Sequence, residues 1–137
     1  MILSAFAPYK NLGLLIIRLG LGVMFMLHGY PKLFGGYERW EFLGQQMQLI
    51  GINFIPTFWG FMASTSEFVG GLFFILGFLY KPTTLILTFT MIIASLYHIS
   101  IGDGINGTSH PIEMAIVFIG LLFTGPGKYS LDKVIFK

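Results

Sequence analysis

Asn11-Leu12-Gly13-Leu14-Leu15-Ile16-Ile17-Arg18-Leu19-Gly20-Leu21-Gly22-Val23-Met24-Phe25-Met26-Leu27-His28-Gly29-Tyr30 holds one permanent charge, that of Arg18. A helix needs about 20 mostly apolar residues to cross the hydrocarbon core of a bilayer, so this stretch reads as a membrane span. Composition extends the reading to the whole chain. Its 137 residues are 55% hydrophobic and 10% charged, with mean hydropathy +0.79, whereas soluble domains carry about 25% charged residues. The amino terminus has no basic region ahead of the first apolar stretch. That stretch continues through Leu27 without a cleavage site, and is expected to be a retained helix.

Three more spans follow. The second is expected from about Pro56, a favourable first-turn proline, to Tyr80, closed by Lys81-Pro82. The third covers about Thr83 to Ile101 and ends in Gly102-Asp103-Gly104, and the fourth runs from Pro111 to Thr124, ahead of Gly125-Pro126-Gly127. At about 1.5 Å per residue the fourth reaches only about 21 Å, so it should begin earlier, extend further, or sit where the bilayer thins. Between the first two spans, Trp40, Leu43, Met47 and Ile50 recur at helical spacing. This segment is expected to lie in the interface or to pack over the mouth of the bundle. The fold class is thus an all-α membrane protein, one domain over residues 1–137 built as a four-transmembrane-helix bundle with a helical segment between the first two spans.

The charge distribution sets topology and excludes other classes. With four spans, Lys10, Lys81, Lys128, Lys133 and Lys137 share one face, against Lys32 and Arg39 on the other. The positive-inside rule then puts both termini in the cytoplasm. The basic residues of this +2 chain are scattered singly, so a nucleic-acid partner is not expected. With no cysteine, disulfides, thiolate nucleophiles, iron–sulfur clusters and thiolate-bound zinc are excluded.

Polar and small residues gather on one face of each span at about 100° per residue. They are Arg18, Gly22, Phe25, Gly29 and Lys32, with His28 at the margin, in the first; Gly60, Ala63, Ser64, Glu67 and Gly71 in the second; Thr84, Thr88, Met91, Ser95 and His98 in the third; and Glu113, Val117, Gly120 and Thr124 in the fourth. These faces are expected to look inward, the serines and threonines serving helix packing. Arg18 and Glu67 are expected to pair. Counted from the lysine-rich side they lie about 12 Å and 21 Å deep, and a long side chain with modest tilt would close the gap. His28, His98, His110 and Glu113 form an outer polar group. Histidines on two helices are also haem or metal ligands in other bundles, but no short-spaced ligand motif accompanies them, and neither haem nor metal is expected. Glu113 also suits a helix first turn after Pro111.

Arg18-Leu19-Gly20-Leu21-Gly22, continuing through Phe25, His28-Gly29 and Lys32-Leu33-Phe34-Gly35-Gly36, resembles the first helix and loop of the DoxX family. Glu67-Phe68-Val69-Gly70-Gly71-Leu72 through Gly77 resembles its second-helix motif, and Gly125-Pro126-Gly127-Lys128-Tyr129-Ser130-Leu131-Asp132 its tail. The resemblance covers about Leu12 to Asp132. It implies a four-helix inner-membrane protein of bacteria or archaea in a family named for a terminal quinol oxidase subunit, with thiosulfate:quinone oxidoreductase subunits among its relatives. It carries over Arg18, His28, Lys32 and Glu67 as motif residues.

Three functions are open to such a chain. A quinone- or quinol-binding redox subunit needs hydrogen-bonding groups and an aromatic lining at membrane depth. Glu67, His98 and His28 are then the proton-exchanging candidates, and Arg18, Lys32, Glu113 and Trp40 the ligand-binding ones. A scaffold anchoring other redox subunits needs only its glycine-rich faces. A small-solute transporter would use intramembrane charges to bind or gate the solute, and four helices would need a homo-oligomer to supply the pathway. Membrane lipid is a partner in every case.

Overall fold

The computed structural model describes residues 8–136. The segment ahead of Pro8 and Lys137 of the charge count lie outside it. Among the described residues there is no strand, and four helices are long and apolar enough to cross a membrane. They are α1 (Lys10–Leu33), α3 (Pro56–Leu76), α4 (Tyr80–Ser100) and α5 (Gly104–Thr124), with α2 (Tyr37–Gly44) between α1 and α3 and α6 (Leu131–Ile135) in the tail.

Helix ends differ from the sequence expectation where backbone geometry overrides composition. The α3–α4 break falls at Gly77 rather than at Lys81-Pro82. Gly77 takes a left-handed conformation, φ 62°, and the N–H groups of Gly77 and Phe78 return to the carbonyls of Phe74 and Phe73, which closes the helix. Pro82 then falls in the first turn of α4, where its missing N–H costs nothing. α1 runs past Tyr30 and takes Pro31 into its last turn. α5 begins at Gly104 rather than Pro111, and its 21 residues reach about 31 Å. The earlier start supplies the length that the short apolar run lacked.

α1 packs along α3, α3 against α4, and α4 along α5. Close approach sets the α1–α3 register. A Cβ on Gly29 would collide with the Glu67 and Phe68 backbone, and one on Gly22 with Ile75 and the Gly71 carbonyl. Near the end that carries the tail, Phe25, Phe74, Tyr80 and Phe118 fill the bundle. Phe74 stacks on Tyr80 with ring centroids 5.4 Å apart, and Phe118 meets Phe74 and Phe25 edge-on at 5.4 and 5.1 Å. Inward threonines and serines satisfy their hydroxyls on their own helices: Thr84, Thr88, Ser95 and Ser64 each donate to a carbonyl one turn back.

The inward face of α5 differs from the sequence expectation. α5 buries Met114, Ala115, Phe118 and Leu121, while Glu113, Val117, Gly120 and Thr124 are exposed. Bulk decides here, because the fully buried Phe118 ring fills the axis and turns the sparse polar residues outward.

The segment after α1 is packed over the bundle's mouth. α2 and the 3₁₀ turn Gln45–Ile50 that follows it lie on α3. A Cβ on Gly60 would overlap the Trp40 carbonyl, and one on Gly44 the Pro56 carbonyl.

Candidate functional site

Arg18 and Glu67 do not pair. Arg18 is 1% exposed, and its guanidinium donates to the carbonyls of Phe74 (3.0 Å), Ile75 (2.5 Å), Pro126 (2.9 Å) and Tyr129 (2.7 Å). Two of these are carbonyls at the end of α3: that of Ile75, left free by the helix, and that of Phe74, which also accepts from the Gly77 N–H. The others belong to the Gly125-Pro126-Gly127 tail. Side chains on a helix lean toward its amino terminus, so the Arg18 arm points away from Glu67 and toward the tail. Asp132 completes this clasp by accepting from the N–H groups of Leu79 and Tyr80, both at 2.8 Å, and so caps α4 from outside. Lys128 N–H donates to Asn11 Oδ1 at 2.9 Å, tying the tail to the start of α1. Arg18 therefore sits in a structural clasp, remote from the other candidates, and its guanidinium is spent on carbonyls.

The partner of Glu67 is Lys32. Its ammonium lies 2.8 and 2.7 Å from the two carboxylate oxygens, with side-chain exposures of 26% for Lys32 and 5% for Glu67. The same lean that takes Arg18 away brings Lys32 back: it projects from the last turn of α1 down toward Gly29, which rests on Glu67. Trp40 holds that turn. Its indole N–H lies 3.1 Å from the carbonyls of both Lys32 and Leu33, two of the acceptors that the end of α1 leaves free.

Two cavities meet at the ion pair. The larger, about 250 Å³, lies between α2, α3 and α4, with Phe42, Trp59 and Tyr97 among its walls. The smaller, about 110 Å³, reaches His28, His110 and Pro111 between α1 and α5. Lys32, Glu67, Ala94 and His98 line both. His98 Nδ1 is 2.5 Å from Asp103 Oδ2, which fixes the ring from the loop before α5. The rings of His28 and His110 are 5.8 Å apart. Among the described residues no three histidine or acidic side chains come together as a metal site.

The structure thus gathers Glu67, His98, His28 and Lys32 and puts Trp40 behind Lys32. Glu113 faces outward from α5, lining neither cavity. The 250 Å³ chamber also uses Arg39, Phe42, Gln46, Met47, Trp59 and Tyr97, which sequence reasoning passed over. Met47 belonged to the helical spacing of the linker, but nothing in the linker alone shows that its apolar side closes a chamber.

The DoxX family model matches residues 13–99. The chain is 31% identical over 131 residues to inner membrane protein YqjF of Escherichia coli (strain K12), covering 93% of this chain and 95% of that protein. It is 27% identical over 136 residues to inner membrane protein YphA of the same strain, covering 93% and 94%. No solved structure matches it significantly. With its four membrane-spanning helices, this integral membrane protein belongs to the DoxX family.

Proposed function

We propose that the protein is a quinone- or quinol-binding redox subunit of a bacterial or archaeal inner membrane, with both termini in the cytoplasm. The observation that carries this reading is the 250 Å³ chamber, where a buried ion pair and a histidine face three aromatic rings. Its volume lies just under the range of drug-sized pockets and suits a single substituted ring. Lys32 would donate to a ring carbonyl and Glu67 would accept from a ring hydroxyl, while Phe42, Trp59 and Tyr97 pack on the ring faces. Quinol oxidation releases two protons and two electrons. Glu67 takes one proton and His98, oriented by Asp103, takes the other. The electrons pass to a partner redox protein. The relatives named as inner membrane proteins support the location, and the lysines on the clasp face support the orientation.

A scaffold is the second reading, favoured by Gly13, Gly20 and Gly120, where an added Cβ would meet nothing and another helix could approach. The aromatic plug of Phe25, Phe74, Tyr80 and Phe118 argues against a transport path.

The test is purification in mild detergent followed by mass spectrometry of the extracted lipid and the retained subunits. Quinone retained in near-stoichiometric amount supports the redox reading. Tightly held protein subunits with no quinone support the scaffold.

A further inference from the structure

We infer that the chamber is entered sideways from the bilayer, through the seam between α3 and α4, and that its ligand is an amphiphile whose polar head reaches Lys32–Glu67 while its apolar chain lies in that seam. This deepens the proposed quinone site and rests on it.

A third hollow, about 480 Å³, runs along the outside of the α3–α4 seam. Its α3 residues extend from Phe58 to Phe73, about 22 Å at roughly 1.5 Å per residue. Apart from the hydroxyls of Thr65, Ser66, Thr83 and Thr90 its walls are apolar. Phe58, Met62, Ile86 and Phe89 are exposed to the membrane side. Head chemistry and tail chemistry therefore lie side by side.

Trp59, Ala63 and Thr90 line the chamber and the seam alike. The wall between them is thin. On α3, Ala63 and Glu67 are one turn apart, so the thin wall leads straight to the ion pair.

The hydrogen bond that crosses the seam can open. Ser66 and Thr90 hydroxyls are 2.8 Å apart, Ser66 also lies 2.7 Å from the Ala63 carbonyl, and Thr90 lies 3.0 Å from the Ile86 carbonyl. The two hydroxyls hold one proton each, so they make only two of these three bonds at once. Rotating one hydroxyl exchanges the bond across the seam for a bond within a helix at little cost. α3 and α4 also touch over less of their length than α1 and α3 do. Beside the latch, Thr65 Oγ1 is buried with no hydrogen-bond partner.

The test compares two probes on the purified protein in lipid nanodiscs: a dimethoxy-methyl-benzoquinone bearing a decyl chain, and the same ring without the chain. Binding is read as Trp fluorescence quenching and expressed against the free aqueous concentration of each probe, with empty discs supplying the amount taken up by lipid. Two variants fill the seam away from the chamber. Gly70→Leu adds bulk where a Cβ meets only ordinary contacts with Leu87 and Thr83, and Val69→Phe is the second variant should the first misfold. The wild type is expected to prefer the chain-bearing probe by on the order of 100-fold, about 2.7 kcal/mol, which is the burial of about three or four of the chain's methylenes in the seam. The seam variants should reduce this preference to within about threefold, with tailless-ring affinity unchanged. A preference that survives both variants overturns the sideways entry, as does equal wild-type affinity for the two probes, and in either case the quinone site stands. Failure of both probes to bind the wild type overturns the quinone reading, and this inference with it.

Discussion

Lys32 Nζ sits within 2.8 Å of both carboxylate oxygens of Glu67, joining the last turn of α1 to the middle of α3. Both charges are largely withheld from water, Glu67 at 5% exposure and Lys32 at 26%. Removing one partner strands the other in a low-dielectric site, while replacing both by apolar residues removes the problem.

Lys32→Ala should therefore destabilise the bundle by about 3 kcal/mol, the low end of the range for breaking a buried pair because Lys32 is partly exposed. The double variant Lys32→Met with Glu67→Leu should regain most of this. Thermal unfolding of single and double variants in one detergent checks it. A double variant as unstable as the sum of its singles would show that the two side chains act independently.

The Arg18 clasp makes a second expectation. Arg18→Lys keeps the charge but loses the planar fork that serves carbonyls on two segments. It should behave nearly as badly as Arg18→Ala, at several kcal/mol, since hydrogen bonds to charged groups contribute about 1.5 to 3 kcal/mol each and are not additive. Limited trypsin digestion reports it directly: cleavage after Lys128 and Lys133 should accelerate strongly in both variants. An Arg18→Lys tail as resistant as the wild type would contradict the clasp.

Gly60→Ala should loosen the cover over the chamber, because its Cβ would overlap the Trp40 carbonyl and push α2 off α3. Overpacking of this kind costs about 1 to 3 kcal/mol. Hydrogen exchange of the Trp40 indole N–H, now held by two carbonyls, should speed up well before global unfolding. Unchanged exchange would mean that α2 is seated by other contacts.

The proposed orientation, with both termini in the cytoplasm, rests on Lys10, Lys81, Lys128 and Lys133, which share the clasp face. A reporter fused to the carboxyl terminus should be active only in its cytoplasmic form. Activity of a periplasmic reporter there would invert the bundle and turn the chamber toward the cytoplasm.

Much of this was legible in the sequence because lipid makes strict demands. Long apolar runs marked α1 and α3–α5, and the shortness of the Pro111–Thr124 run left three ways of gaining length, of which the structure takes the earlier start, at Gly104. Ionisable residues in those runs led to Glu67, His98 and His28. What was not legible depends on direction and bulk. By depth alone Arg18 comes near Glu67, but helical side chains lean toward the amino terminus, which sends Arg18 to the tail and Lys32 to Glu67. The inward face of α5 followed Phe118 and Met114 rather than Glu113, because filling the axis outweighs one carboxylate that can turn outward. Phe42 and Trp59 come from elements that meet only in three dimensions, so no spacing within the chain marks them as one chamber.

Whether the Lys32–Glu67 chamber holds a quinone head group is decided by a binding titration of the purified protein with the chain-bearing benzoquinone, followed by quenching of Trp40 and Trp59 fluorescence. Glu67→Gln and His98→Ala are each compared with the wild type after their folding is confirmed by thermal unfolding. Saturable binding is expected in the wild type, with affinity falling at least about tenfold in folded Glu67→Gln, equivalent to about 1.4 kcal/mol, and by a smaller factor in His98→Ala. Binding of equal affinity in all three proteins, or none in the wild type, would contradict it.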